Sequence, residues 1–186
     1  MDLIVGGGGG GGGAATNPNN LTVGIGSMGR DMALINTVPM AVGTTRFSYF
    51  TAPANLTFAN IRTWCGSVGG VITGGGYVGL CKEETNGDLT FVNGAVDITL
   101  WNTPNTAYTR PVAGALVSGQ RYALAVLVTA ATTLPTLGGS NQQFAQEMAE
   151  APRMSAQVAS QAGFAASYPV GTLANSPYRI YGVFLP

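Results

Sequence analysis

Residues 118–128 read SGQRYALAVLV, and the fold turns on how this stretch is taken. A Ser-Gly turn signal introduces an apolar run with no polar interruption from Tyr122 to Val128. Extended to Ala131 the run is still only half the length of a membrane-spanning helix, so it reads as a buried central strand. A central strand needs neighbours, and the flanking sequence supplies them. From about Ala33 onward, short strand-like runs alternate with turn signals at the spacing of an all-β sandwich.

Upstream, RFSYF (Arg46–Phe50) alternates and stops at Ala52–Pro53. LTFANIRTWC (Leu56–Cys65) puts Phe58 on one face, and Arg62 and Trp64 together on one face further along. GSVGGVITGGG (Gly66–Gly76) reads as a glycine-rich loop, and YVGLCKE (Tyr77–Glu83) as a strand entering a hairpin. The tip is TNGD. Its Asn86–Gly87 pair suits a type I′ turn, whose two central residues both need positive φ. LTFVN (Leu89–Asn93) returns from it, and AVDITLW (Ala95–Trp101) reads as the next strand. Pro111 assigns TAYTRPV (Thr106–Val112) to an edge or a bulge. YRIYGVFL (Tyr178–Leu185) alternates and closes the sandwich.

Residues 138–176 differ in texture, being rich in Gln, Ala and Met. They read as a long excursion, and loops of this length are usually functional or held by a partner. Phe144 and Met148 stand at helical spacing and admit one short helix before Pro152. With Met154 they form a candidate subunit contact, although such a stripe is more often plain packing.

Only 9% of the 186 residues are charged, against about 25% in ordinary soluble domains. Eight acids balance eight bases, so no net field draws nucleic acid or an anionic membrane. Neutral polar and small apolar side chains lose water more cheaply than ions do, so this composition suits burial between subunits. A secreted or surface-exposed β-domain of low charge is the blander reading. Asp2 sits where a secretory leader would be basic, so cytoplasmic synthesis is expected, with Cys65 and Cys81 as reduced, buried thiols.

The chain opens MDLIV and then runs through Gly6, Gly7, Gly8, Gly9, Gly10, Gly11, Gly12 and Gly13. A phosphate loop would end in Lys and Ser or Thr, whereas this run ends in AATN. A nucleotide cradle is therefore not expected. Glycine lets backbones approach closely, so residues 1–32 read as a docking arm that adds backbone hydrogen bonds to a neighbour. Residues 33–186 read as the sandwich.

Chemistry has little to stand on. The chain has no histidine, which removes His-based triads and most zinc sites. Glu83, Glu84, Asp88 and Asp97 form the one acidic cluster, and solvated turn acids are the default there. No enzyme activity, cofactor or metal is expected. Trp64, Tyr77, Trp101 and Tyr108 fall near loops, where sugars can stack on such rings. Each alone reads as packing, and as a group they are a candidate glycan contact.

Several segments together resemble a known family. They are NTAY (Asn105–Tyr108), SGQRYALAVLV, TTLPTLGG, APRMSAQVASQAGFAASYP and the final YRIYGVFLP. The combination is similar to jelly-roll-type domains in virion proteins of tailed bacteriophages, those of phages infecting actinobacteria being closest in texture. The glycine-rich arm is similar to arms on phage minor tail and fibre proteins. The resemblance spans about residues 33–186. It implies an antiparallel β-sandwich of jelly-roll type and a place in the virion; we expect the tail rather than the head. Minor tail protein, host-receptor-binding domain and capsid decoration are the roles it offers. The expected partners are other copies of the chain, as a trimer, and neighbouring virion proteins. No catalytic residues come with it.

Overall fold

The structure, a computed structural model, describes residues 24–28, 36–141 and 153–186. The strands in chain order are β1 (Ile25–Gly26), β2 (Asn36–Pro39), β3 (Thr45–Thr51), β4 (Leu56–Trp64) and β5 (Val71–Ile72). They continue with β6 (Gly76–Glu83), β7 (Leu89–Asp97), β8 (Ala107–Leu116), β9 (Arg121–Val128) and β10 (Ala131–Thr133). The last are β11 (Thr136–Asn141), β12 (Ser155–Val158), β13 (Ser167–Tyr168), β14 (Tyr178–Ile180) and β15 (Gly182–Leu185). Among the described residues no helix is long and apolar enough to cross a membrane.

The run at 121–128 is the central strand its composition predicts. β9 pairs antiparallel with β3 on one side and β6 on the other, in a six-stranded sheet ordered β12-β3-β9-β6-β7-β13. A four-stranded sheet, β1-β15-β4-β8, faces it. Tyr122, Leu124, Val126 and Val128 point from β9 into the core between the sheets, against Phe58 and Ile61 of β4 and Phe184 of β15. Fully burying one such side chain contributes about 1.5–3 kcal/mol. Ala123 and Ala125 point the other way, into a second core. Both faces of β9 are buried, which is why its apolar run has no alternation to interrupt it.

The long strands pair in a nested pattern. β6 and β7 form the innermost hairpin, β4 pairs with β8 around it, β3 with β9, and β1 with β15 outermost. The body is an all-β antiparallel sandwich. Smaller sheets, β14-β11-β2 and β10-β5, extend it. The closing strand is split: β14 pairs with β11, and after Tyr181 the chain passes to β4 and β1 as β15.

Three local expectations change. The hairpin forms where predicted, but the turn is not type I′, because of its two central residues only Gly87 has positive φ, 86°. Gly87 N–H donates to Glu84 O and Glu84 N–H to Asp88 O, which is a three-residue turn with glycine at the left-handed position. The Asn86 carboxamide caps Asp88 instead, accepting from its N–H at 3.1 Å. Next, LTFVN and AVDITLW are not separate strands. β7 runs on through Asn93–Gly94, where Gly94 lies opposite Gly79 of β6 with Val78 O close by, and its bulge falls just before, at Val92 between Phe91 and Asn93. Pro111 does sit on an edge strand, where the register against β4 shifts.

Finally, the excursion at 138–176 is not wholly irregular. Its start is β11, and its described second half forms a strap over the six-stranded sheet. β12 adds to the β3 edge and β13 to the β7 edge. The strap closes on itself where Gln157 and Ala174 exchange backbone hydrogen bonds of 2.9 and 3.0 Å. Beneath it lie Phe47, Cys81, Leu89, Ala123 and Ala125. Phe164 rests on Gly79, where an added Cβ would come within 2.9 Å of its ring. The predicted helix around Phe144 and Met148 lies outside the described residues.

Candidate functional site

Gly6–Gly13, the proposed assembly arm, lie outside the described residues. What is described is its root. Residues 24–28 fall within the span assigned to the arm, yet they add β1 to the edge of the four-stranded sheet. Ser27 fastens this root: its hydroxyl donates to Ile180 O at 3.0 Å and accepts from Gly182 N–H at 3.0 Å. Ser27 is fully buried, so these bonds replace the water it gave up.

The aromatic quartet does not form one platform. Trp101 is fully buried, with its indole N–H donating to Thr63 Oγ1 at 2.8 Å. It offers no face to a sugar, and its place beside the NTPN turn misled the sequence reading. Trp64 lies on the outer side of β4, away from the main core, and stacks on Tyr181 with ring centres 5.0 Å apart. Tyr108 packs against the main core, and its hydroxyl accepts from Thr103 N–H at 2.7 Å. Tyr77 is on the strap side of the six-stranded sheet, edge-on to Phe164 at 5.5 Å. The four rings share no common surface.

Of the candidate subunit contacts, Phe144 and Met148 are outside the described residues. Met154 is exposed and leads into the strap, its carbonyl accepting from Tyr49 N–H at 3.0 Å. The four residues of the acidic cluster all have structural partners. Glu83 pairs with Arg121, Glu84 with Lys82 at 3.0 Å and Asp97 with Arg110 at 2.7 Å. Asp88 accepts from Val170 N–H at 2.7 Å, which ties the hairpin to the strap. Bonds from Thr99 hold the Asp97 carboxyl below its usual range, with Arg110 adding to the effect.

The sequence reading missed the flank where β7 meets β8. Val92 on β7 and Ile98 just after it are exposed, as are Pro111, Ala113 and Ala115 along β8 and Val117 at its end. The ionic groups at this flank, Asp97 and Arg110, neutralise each other. Asn93 closes the seam, donating from Nδ2 to Ala113 O at 2.9 Å. The signal lay in VNGAVDI and PVAGALV, apolar runs that alternate poorly because one side of each contributes to the flank.

Cys65 and Cys81 are both buried and form no disulfide, in line with the expected reduced, buried thiols. Burial pushes the Cys65 thiol up to about 11 and the Cys81 thiol to about 12. Both stay protonated in the fold at a pH where the unfolded chain begins to ionise. That contribution to stability is complete below the ordinary thiol value of 9.0 and is lost as pH rises toward these higher values. A disulfide-exchange reagent at mildly alkaline pH is expected to find no reactive thiol in the folded protein and both after denaturation. Rapid labelling of the folded chain would contradict this burial.

No family model matches the chain, and no curated protein matches it.

Proposed function

We propose that the protein is a structural subunit of a tailed-bacteriophage virion, a minor tail or fibre protein that acts by assembly and whose body is a jelly roll. The observation that carries this reading is the exposed apolar flank of Val92, Ile98, Pro111, Ala113, Ala115 and Val117. A free monomer normally breaks such a surface with charge. Here the neighbouring ions are already paired, so a second copy of the chain can cover the flank without stripping water from an isolated charge.

Two further observations support it. Four nested antiparallel pairs, folded into two facing sheets, are what a long hairpin gives when it curls into two Greek keys, the jelly-roll arrangement frequent in viral capsid proteins. The root of the glycine-rich arm is anchored by Ser27 at the outer edge of the four-stranded sheet, opposite β8. An arm leaving one edge while the flank lies near the other favours a head-to-tail ring, for which a trimer is the expected closure. The tail is the favoured location, the head the alternative. A host-glycan contact is not favoured, since its four rings do not share a surface.

Light scattering of the purified chain is expected to give a trimer, and Ile98→Asp with Val117→Asp to give a folded monomer. Both side chains are exposed, so a loss of assembly with unchanged thermal unfolding is the diagnostic result. Immunogold labelling of intact particles then distinguishes tail from head. A wild-type chain that stays monomeric, or particles that carry no accessible epitope, would overturn the reading.

A further inference from the structure

The chain contains two Asn-Gly pairs, Asn86–Gly87 and Asn93–Gly94. Such pairs can close on themselves: the glycine nitrogen, with no Cβ to shield it, reaches the asparagine side-chain carbon. By sequence the exposed hairpin tip at Asn86 is the obvious site. The structure reverses that preference. The Asn86 carboxamide is held away from Gly87, with Oδ1 accepting from Asp88 N–H and Nδ2 donating to Asp88 Oδ2 at 2.8 Å.

Asn93 is arranged differently. Its carboxamide folds back over the next peptide, and Gly94 N–H donates to its own neighbour's Oδ1 at 2.8 Å. Oδ1 and Cγ are one bond apart, so this hydrogen bond keeps the carboxamide folded toward the nitrogen that attacks it. Nδ2, the leaving group, points outward to Ala113 O across a solvent-exposed hydrogen bond.

We infer that Asn93–Gly94 is a site of spontaneous deamidation that loosens the seam between β7 and β8. Hydroxide removes the Gly94 amide proton, and the nitrogen attacks Asn93 Cγ. The Cγ–Nδ2 bond breaks and ammonia leaves, giving a five-membered succinimide. Water then opens the ring, at Cγ to give aspartate or at the backbone carbonyl to give isoaspartate. Ammonia is released, water is consumed, and nothing is oxidised or reduced. Both products lose the Nδ2 donor to Ala113 O; aspartate puts a carboxylate in its place, which repels that carbonyl, whereas isoaspartate carries its carboxylate on the former main-chain carbon. Isoaspartate also lengthens the β7 backbone opposite Leu80 and Gly79. The inference concerns one chain, and running the same test on the Ile98→Asp, Val117→Asp double variant keeps it separate from the assembly reading, in which a second copy covers this seam.

The test is peptide mapping by mass spectrometry after incubating the folded protein in mildly alkaline buffer. The two sites are compared with each other and with the same chain in denaturant. Asn93 is expected to convert several-fold faster than Asn86 in the folded protein, and at a similar rate in the unfolded one. Hydrogen exchange of the aged protein should rise across residues 111–116, and Asn93→Gln, which keeps a carboxamide but cyclises poorly, should prevent that rise. Faster conversion at Asn86 than at Asn93 in the fold would overturn the inference. So would conversion at Asn93 without any change in exchange across the seam.

Discussion

Replacing Trp101 with alanine is expected to cost about 3–5 kcal/mol of stability, the range for truncating a large buried aromatic. The ring is fully enclosed, and its N–H is the partner of the buried Thr63 hydroxyl. Its backbone is also unusual, with φ at 59°, a region that costs a side-chain-bearing residue about 1–2 kcal/mol. Packing must hold the residue there, and the Trp101 carbonyl takes part by accepting from Gly70 N–H at 2.7 Å. Trp101→Phe separates the contributions: most of the volume stays, but Thr63 loses its donor, for a smaller cost of about 1–3 kcal/mol. Urea unfolding followed by fluorescence checks both. The chain has two tryptophans, so in either variant the signal comes from Trp64 alone. An exposed sugar-stacking residue would behave otherwise, with alanine shifting stability by no more than about 0.5 kcal/mol.

Trp101 also marks where sequence reading stopped. An aromatic that ends a strand just before NTPN reads as lying near a loop, and nothing local to it says that Thr63 waits 38 positions upstream. What was legible followed from period and punctuation. β9 announced itself because both its faces are buried, β3 and β4 because apolar positions alternate, and β8 as an edge because Pro111 cannot donate to a ladder. The hairpin position was legible from Asn86–Gly87, whereas its turn type was not, since that depends on the Asn86 side chain reaching Asp88. The same dipeptide at 93–94 sits inside a strand because a second glycine, Gly79, stands opposite. The apolar flank escaped notice because exposure is a property of two sheets meeting. No periodicity carries it.

The strap was the least legible element, and it supports the second large prediction. Its segments pair over only two to four residues each, and its composition of Ala, Ser, Gln and Gly has no period. The clue to its existence lay elsewhere, in the small residues of the strands beneath it. Ala123, Ala125, Gly79 and Cys81 leave a shallow trough, and a trough lined by small side chains lets another layer approach. Phe47 is the large anchor in that trough, fully buried and edge-on to Tyr168 with ring centres 4.8 Å apart. Phe47→Ala is therefore expected to cost about 3–5 kcal/mol. It should also do something that Trp101→Ala does not. The layers differ, so loss of the ring should release the strap first, and limited proteolysis should cut residues 159–174 before the body unfolds. Arg121 constrains how far that release runs: it pairs with Glu83 and donates to Arg153 O at 2.6 Å, fastening the start of the strap independently of Phe47. Cleavage should accordingly begin on the β13 side and spare Arg153. Simultaneous cleavage throughout the chain would mean that strap and sandwich form one cooperative unit, and that the second core holds up the first.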